Sequence, residues 1–239
     1  MNGSRLYAKP LHYLDIEGGV TILDNIINCL EGIDAIDEIV LAISEAPENI
    51  AFKLFAEKRN LRFVTGDEHD VLGRLVKAGQ YAGATDIFRV TSESPFVQFE
   101  QVDELWQHHL ANNNEGTFFD DTLDGCSFEI INLAALAQSH QDGDDRHRSE
   151  LCTLYLRENI DRFKIDIIKA QPEFQRKDLR LTVDYPEDLV VCRACFEKFS
   201  DHQPRIPINK IIDYLDQNPS LKSLIEPYVE EGYSTMFIR

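Results

Sequence analysis

The chain has 239 residues, 43% of them hydrophobic, and a formal net charge of −18 at pH 7. Length and apolar content predict one large α/β domain or two small ones around a sizeable core, and so acidic a balance excludes a general nucleic-acid binder, which needs a basic face. A small anionic substrate is not excluded, because a few local cations can dominate the field of one cleft.

The first element is a small-residue loop, Gly3-Ser4-Arg5-Leu6-Tyr7-Ala8-Lys9-Pro10-Leu11. Its forked Arg5 and point-charge Lys9 suit phosphate oxygens. Thr21 to Leu30 has helical spacing, with Thr21 as its cap. Glu38 to Ile43 is a nearly continuous apolar run, as in a buried parallel strand. A helix over Ile50 to Arg59, a strand over Leu61 to Thr65 and a helix over Asp70 to Ala82, capped by Asp70, follow. Asp86 to Thr91 is the next strand, and Phe99 to Asn112 a helix carrying Trp106. This rhythm predicts a mostly parallel sheet with helices on both faces.

After Asn112 the rhythm changes. Gly116 to Phe119 and Ser127 to Asn132 read as strands, Gln141 to Asp145 as a polar loop, and Leu151 to Glu158 as a helix. Ile165 to Ile168 and Leu179 to Val183 read as strands. Helices run over Pro186 to Phe199 and Ile208 to Leu215, and a short helical piece starts at Asn218-Pro219. The expected organisation is a single domain over 1–239. It has an inserted subdomain near 112–178 and a helical tail near 200–239.

The five cysteines, Cys29, Cys126, Cys152, Cys192 and Cys195, are odd in number and widely spaced, which argues against a disulfide framework. Cys192 and Cys195 sit inside an apolar helical run and read as small buried residues one turn apart. No apolar run is long enough to span a bilayer and the chain opens on a polar loop, so no membrane insertion is expected and the cytoplasm is the expected compartment.

In an open parallel sheet, ligands lie beyond the carboxyl ends of the strands. Ser44, the stretch Thr91-Ser92-Glu93-Ser94-Pro95, and Asp184 all fall at such positions. Glu93 and Asp184 can share a Mg²⁺, with phosphate oxygens and water completing its octahedron. Plainer readings stay open: Glu93 as a solvated loop residue or a helix cap, and Asp184 as the N-cap of the helix opening at Pro186. Arg74 lies one turn from Asp70 and reads as its intrahelical partner. His108 and His109 are adjacent on a helix, so they point apart and do not form a metal pair. Asp142 to His147 reads as a charged surface loop.

Taken together, these residues resemble the CMP-sugar cytidylyltransferases, the superfamily of CMP-Kdo and CMP-sialic acid synthetases. Within it they are most similar to the branch of spore-coat polysaccharide proteins called SpsF. The family's loop G-S-x-R-L-x-x-K-x-L is matched by Gly3 to Leu11 with one residue fewer before Arg5. E-D-V-L-x-R is matched by Glu68 to Arg74 with one insertion, and R-x-T-G-D-x-P by Arg89 to Pro95. R-L-T-V-D-x-P-E-D-L is matched in full by Arg180 to Leu189.

The resemblance implies a GT-A or Rossmann-like α/β fold and a nucleotidyl transfer in which a sugar-acid hydroxyl attacks the α-phosphate of CTP. Arg5 and Lys9 would be catalytic, neutralising the triphosphate. Gly3, Ser4, Ser44, Arg74 and Thr91 would complete the nucleotide site, and Glu93 and Asp184 would hold Mg²⁺. The partners implied are CTP and a small sugar acceptor, and a homodimer is compatible with the reading. Two other readings are a non-catalytic relative that binds a nucleotide or a partner enzyme, and a nucleotide-sugar glycosyltransferase.

The chain departs from the family pattern in three places. The family has an apolar strand ahead of its Gly-Ser loop, whereas Met1 here directly precedes Asn2-Gly3. Glu93 stands where the family has Asp, and Ser149-Glu150-Leu151-Cys152-Thr153 stands in place of R-E-H-V-T. Tyr233 to Arg239 is an aromatic and β-branched run of strand length, and reads either as an ordinary tail or as a strand, from its own chain or a neighbour's, in the place of the absent one.

Overall fold

The computed structural model describes residues 6–235. Gly3, Ser4 and Arg5 lie outside the described residues, as do Met236 to Arg239. A short antiparallel pair, β1 (Tyr13–Asp15) and β2 (Val20–Thr21), leads into α1 (Ile22–Leu30). The helix starts where it does because Thr21 Oγ1 accepts from the Asp24 backbone N at 3.0 Å, while Asp24 Oδ2 accepts from the Thr21 backbone N at 3.1 Å. This reciprocal cap satisfies two donors that the first turn would leave orphaned. Ile22, Ile26 and Leu30 then form one buried stripe.

β3 (Val40–Ser44), α2 (Ile50–Lys58) and β4 (Arg62–Gly66) form a parallel βαβ unit, in register from Val40 opposite Arg62 to Ser44 opposite Gly66. α3 (Val71–Ala82) is capped by Asp70, whose carboxylate accepts from the Gly73 backbone N at 2.7 Å. It ends at Gly83, whose φ of 70° suits a residue without Cβ.

β5 (Asp86–Arg89), α4 (Val102–Asn112), β6 (Gly116–Asp120), β7 (Glu129–Asn132), α5 (Leu133–Asp142), α6 (Leu154–Glu158) and β8 (Ile165–Lys169) follow, and their four strands form a sheet separate from the β3–β4 pair. The order is β5-β7-β6-β8, with β7 antiparallel to both neighbours and β6 parallel to β8. β5, β6 and β8 therefore run the same way, and β7 is the reversed strand.

Period-2 alternation sends successive side chains to two cores. Phe119 and Ile130 join the core built with α1, α4, α7 (Pro186–Lys198) and α8 (Ile208–Asp216), whereas Phe118 and Ile131 join the core under α3, α5 and α6. Helices cover both faces, as the sequence pattern predicts.

Three elements differ from the sequence reading. Leu133–Asp142 is helical, capped by the Asn132 side chain, which accepts from the backbone N of Ala134 and Ala135. Leu179 to Val183 is extended but is not a strand: beyond a single bridge, Asp124 to Arg180, its backbone bonds to loops. Its alternating Leu179, Leu181 and Val183 are fully buried, so the apolar period is real and the ladder is not. α9 (Pro219–Thr235) is a long helix rather than a short piece, and it takes in Tyr233 to Thr235, which are therefore not a strand.

All five cysteines are free and buried. Burial pushes the thiols of Cys29 and Cys195 up to about 12 and those of Cys126 and Cys192 well above their usual value. Thiolate is the reactive form. Native protein at pH 8 is expected to leave all five thiols unreacted with a disulfide reagent over minutes, and to release them on unfolding. Prompt labelling of Cys192 or Cys195 would assign that pair a redox or metal role instead.

Candidate active site

The N-terminal loop and the segment ahead of α7 meet beyond the carboxyl end of β5. Lys9 opens a single 3₁₀ turn with Pro10 next to it. Its Nζ donates to Asp184 Oδ1 at 2.5 Å, across 175 residues of sequence. Arg180 donates to the other carboxylate oxygen of Asp184 at 2.7 Å, and also to the Tyr228 carbonyl of α9 at 2.7 Å. Arg180 is only 1% exposed. A guanidinium so deep in the protein needs partners, and its placement anchors Asp184 from below while Lys9 meets it from the loop.

Asp184 does not cap the helix. Asp188, the third residue of α7, does so by accepting from the backbone N of Asp184 and of Tyr185, both at 2.9 Å. The Asp184 carboxylate is thereby left to face cations. Glu93 belongs to the same place, because its carbonyl accepts from the Val183 backbone N at 3.0 Å and ties the loop after β5 to the Asp184 segment. Burial pushes the Glu93 carboxyl up; Lys9 opposes the shift and Asp184 adds to it.

Sequence reasoning missed Asp124. Its carbonyl accepts from the Leu181 backbone N at 2.7 Å, and its carboxylate lies near the Arg180 guanidinium. Burial pushes this carboxyl up to about 6; Arg180 opposes the shift and Asp184 and Asp188 reinforce it. The only signal in the sequence was an acidic turn, Asp120 to Gly125, which gives no hint of the long-range contact.

Among the described residues the site holds four carboxylates, of Glu93, Asp124, Asp184 and Asp188, against the cations of Lys9 and Arg180. Among the described residues no group of three or more His, Cys, Asp or Glu is placed to hold a metal ion, so a Mg²⁺ on Glu93 and Asp184 would need its other ligands from substrate phosphates and water.

Lys9, Ser44, Arg74, Thr91 and Glu93 line one groove. Ser44 Oγ accepts from the Ala46 backbone N at 3.3 Å, and Thr91 donates to Ser94 Oγ at 2.9 Å. Arg74 donates to the carbonyls of Asp67 and Glu68 rather than to Asp70, which meets His140 at 2.6 Å. His108 bonds to Asp166 and His109 to Thr117 and Asp86, so the two rings point apart.

Beside the site lies a second charged cluster. Glu129 accepts from Arg89 at 2.6 Å, from Arg157 at 3.1 Å and from Thr153 at 2.6 Å, and Arg157 also forks onto Asp120 at 2.6 and 3.0 Å. The segment Ser149 to Thr153 supplies this cluster with Thr153 and with the Glu150 carbonyl, which accepts from Arg89 at 3.0 Å.

The sequence profile described as cytidylyltransferase matches residues 1–225. The chain belongs to the cytidylyltransferase family. Membership sets the reaction class as CTP-dependent nucleotidyl transfer. The chain is 26% identical to the spore coat polysaccharide biosynthesis protein SpsF of Bacillus subtilis over 185 residues, 77% of this chain and 76% of that protein. It is 25% identical to an uncharacterized protein of Methanocaldococcus jannaschii over 216 residues, 90% of this chain and 88% of that one.

Among solved structures, a cytidylyltransferase from Leptospira borgpetersenii superposes with a TM-score of 0.81 at 21% identity, covering 92% of each chain. CMP:2-keto-3-deoxy-manno-octonic acid synthetase complexed with CTP superposes with a TM-score of 0.61 at 12% identity, covering 82% of this chain and 95% of that one. These likenesses establish the nucleotidyltransferase fold. No helix among the described residues is long and apolar enough to cross a membrane.

Proposed function

We propose that this protein transfers CMP from CTP to a hydroxyl of a sugar or sugar acid used in surface polysaccharide synthesis, with Mg²⁺ as cofactor. The observation that carries the reading is the convergence of Lys9, Asp184 and Glu93 beyond the carboxyl end of β5. The names of two similar proteins, a polysaccharide biosynthesis protein and a CMP-sugar-acid synthetase complexed with CTP, support the acceptor class.

In this reaction the acceptor oxygen bonds to the α-phosphorus of CTP as the bond to pyrophosphate breaks. Lys9, joined by Arg5 in this reading, places positive charge on the triphosphate. Asp184 and Glu93 would hold Mg²⁺, which when bound supplies charge neutralisation on the phosphates. Arg180 and the α7 cap made by Asp188 keep the Asp184 carboxylate in position. Catalysis of this kind is mostly positioning and charge stabilisation.

Calorimetry with CTP, ATP and GTP, each with and without Mg²⁺, tests the reading. CTP is expected to bind at least about tenfold more tightly than the purines, a difference of about 1.4 kcal/mol, and only with Mg²⁺ present. Equal binding of all three nucleotides, or none, rejects it. Glu93→Asp is expected to hold or raise turnover, because it shortens the side chain without removing the donor. A loss of Mg²⁺ affinity in that variant would show that Glu93 serves a geometry of its own.

A further inference from the structure

The last turns of α9 meet the Asp184 segment at three points. The Tyr228 carbonyl accepts from Arg180 Nη1 at 2.7 Å. The Tyr228 ring stacks on that of Tyr185, the residue after Asp184, with centroids 3.9 Å apart, and the Tyr185 hydroxyl donates to Glu231 at 2.8 Å. Gly232 lies so close to the cluster that a Cβ there would stand 2.5 Å from Asp124 Oδ2 and 3.6 Å from Arg180 Nη1. Ile225, fully buried, and the Tyr233 hydroxyl, which donates to the Arg176 carbonyl at 3.0 Å, seat the helix on either side of these contacts. Tyr228, Glu231 and Gly232 lie beyond residues 1–225 that the family profile matches, so membership of the family does not account for them.

Arg180 has more than one acid within reach. Its Nη2 donates to Asp184 Oδ2 at 2.7 Å, while its Nε stands 3.2 Å from Asp188 Oδ1 and 3.9 Å from Asp124 Oδ2. The Nε and both of those oxygens are buried and make no hydrogen bond among the described residues. Swinging the guanidinium toward Asp188 and Asp124 would satisfy them at the expense of Asp184. A guanidinium is a rigid planar fork, so committing one nitrogen fixes where the others point. The Tyr228 carbonyl commits Nη1, and Nη2 is then presented to Asp184. The absence of a side chain at Gly232 lets α9 come this close. A Cβ there would hold the helix off or drive Asp124 toward the guanidinium.

We propose that Tyr228 and Gly232 are positioning residues for Asp184. The end of α9 holds Arg180 in the orientation that keeps the Asp184 carboxylate in place, and the stack of Tyr228 on Tyr185 fixes the backbone next to it. The consequence for turnover rests on the nucleotidyl-transfer reading; the coupling of α9 to Asp184 does not.

Gly232→Ala, Tyr228→Ala and Tyr228→Phe test this in the full chain. Tyr228 is only half buried, so its variants serve where Gly232→Ala does not fold. Heteronuclear NMR of the Arg180 guanidinium comes first, since it needs no turnover. The parent should show slow guanidinium rotation with separate Nη1 and Nη2 signals, and Gly232→Ala and Tyr228→Ala should shift or merge them. Unchanged Arg180 signals in both variants overturn the proposal. In steady-state kinetics both should lower kcat by about tenfold or more, within the roughly 10²-fold that a misplacement of about 1 Å costs. KM for CTP should stay within about threefold of the parent, as for a loss felt in the transition state alone. Tyr228→Phe, which restores the ring, should recover most of the loss. Gly232→Ala added to Asp184→Asn should cost less than about threefold more, because changes along one chain of contacts are not additive. Full additivity, or a lower melting temperature with unchanged kcat, overturns the proposal and leaves α9 a structural helix. A parent with the separate guanidinium signals but no CTP-dependent release of pyrophosphate rejects the nucleotidyl-transfer reading instead.

Discussion

Asp184→Asn is expected to lower kcat/KM for nucleotidyl transfer by about 10²–10³, corresponding to roughly 2.7–4 kcal/mol of lost transition-state stabilisation. The substitution keeps the shape of the side chain and removes one charge from the point where Lys9 and Arg180 converge. The fold should survive. Asp188 still caps α7, and Arg180 keeps both the Tyr228 carbonyl and the nearby Asp188 carboxylate. Lys9→Ala is expected to cost a similar factor from the other side of the same pair. Steady-state kinetics with Mg²⁺ and CTP varied independently, beside a thermal melt, check both variants. Turnover within threefold of the parent, with an unchanged melt, would remove Asp184 from the reaction.

Glu129→Gln is expected to destabilise the protein by about 3–5 kcal/mol at pH 7, because it leaves two guanidiniums buried with reduced compensation. At roughly 2–4 °C per kcal/mol for a chain of this size, the melting temperature should fall by about 6–20 °C. Glu129 is 8% exposed in its side chain, against 16% for Arg89 and 10% for Arg157, so solvent cannot take over the pairing. Burial alone would push the Glu129 carboxyl up, but Arg89 and Arg157 outweigh it and hold the carboxyl below its usual value of 4.5. A depressed carboxyl contributes stability above its unfolded pKa and loses it as pH falls through the folded value. Parent and variant should therefore differ most near neutrality and converge as the pH falls below the usual carboxylate range and through the lowered folded value. A gap between their melting temperatures that is constant from pH 7 to pH 3 would show that packing, and not charge, explains the loss.

The long-range contacts explain which parts of the site were legible beforehand. Lys9, Glu93 and Asp184 were visible as residue types at suggestive places, and the structure gathers them. The role of Asp184 was open between helix cap and cation ligand. Asp188, one turn further on, bonds to the backbone at the start of α7 in its place, which removes the helix-cap reading. Asp124 carried no usable signal, because an aspartate in an acidic turn looks the same whether it faces solvent or a buried arginine. Leu179 to Val183 shows the converse. Its alternation was correct, but a strand also needs a partner ladder, and the backbone there bonds to the loops at Asp124 and Glu93.

Sequence alone determined the features whose causes lie within a few residues of one another. The Thr21–Asp24 box opens α1, Asp70 and Gly83 bound α3, and the alternation of Phe118 with Phe119 and Ile130 with Ile131 divides the sheet between two cores. Such causes are local hydrogen bonds and side-chain periods, and they act wherever the segment ends up. Tertiary structure alone decided which carboxylate meets which cation, and which strand edges pair. Lys9 reaches Asp184 across 175 residues, and Arg180 is forced onto its acidic partners because it is buried. Charge pairing depends on distance and desolvation, and both are properties of the folded chain rather than of any window of its sequence.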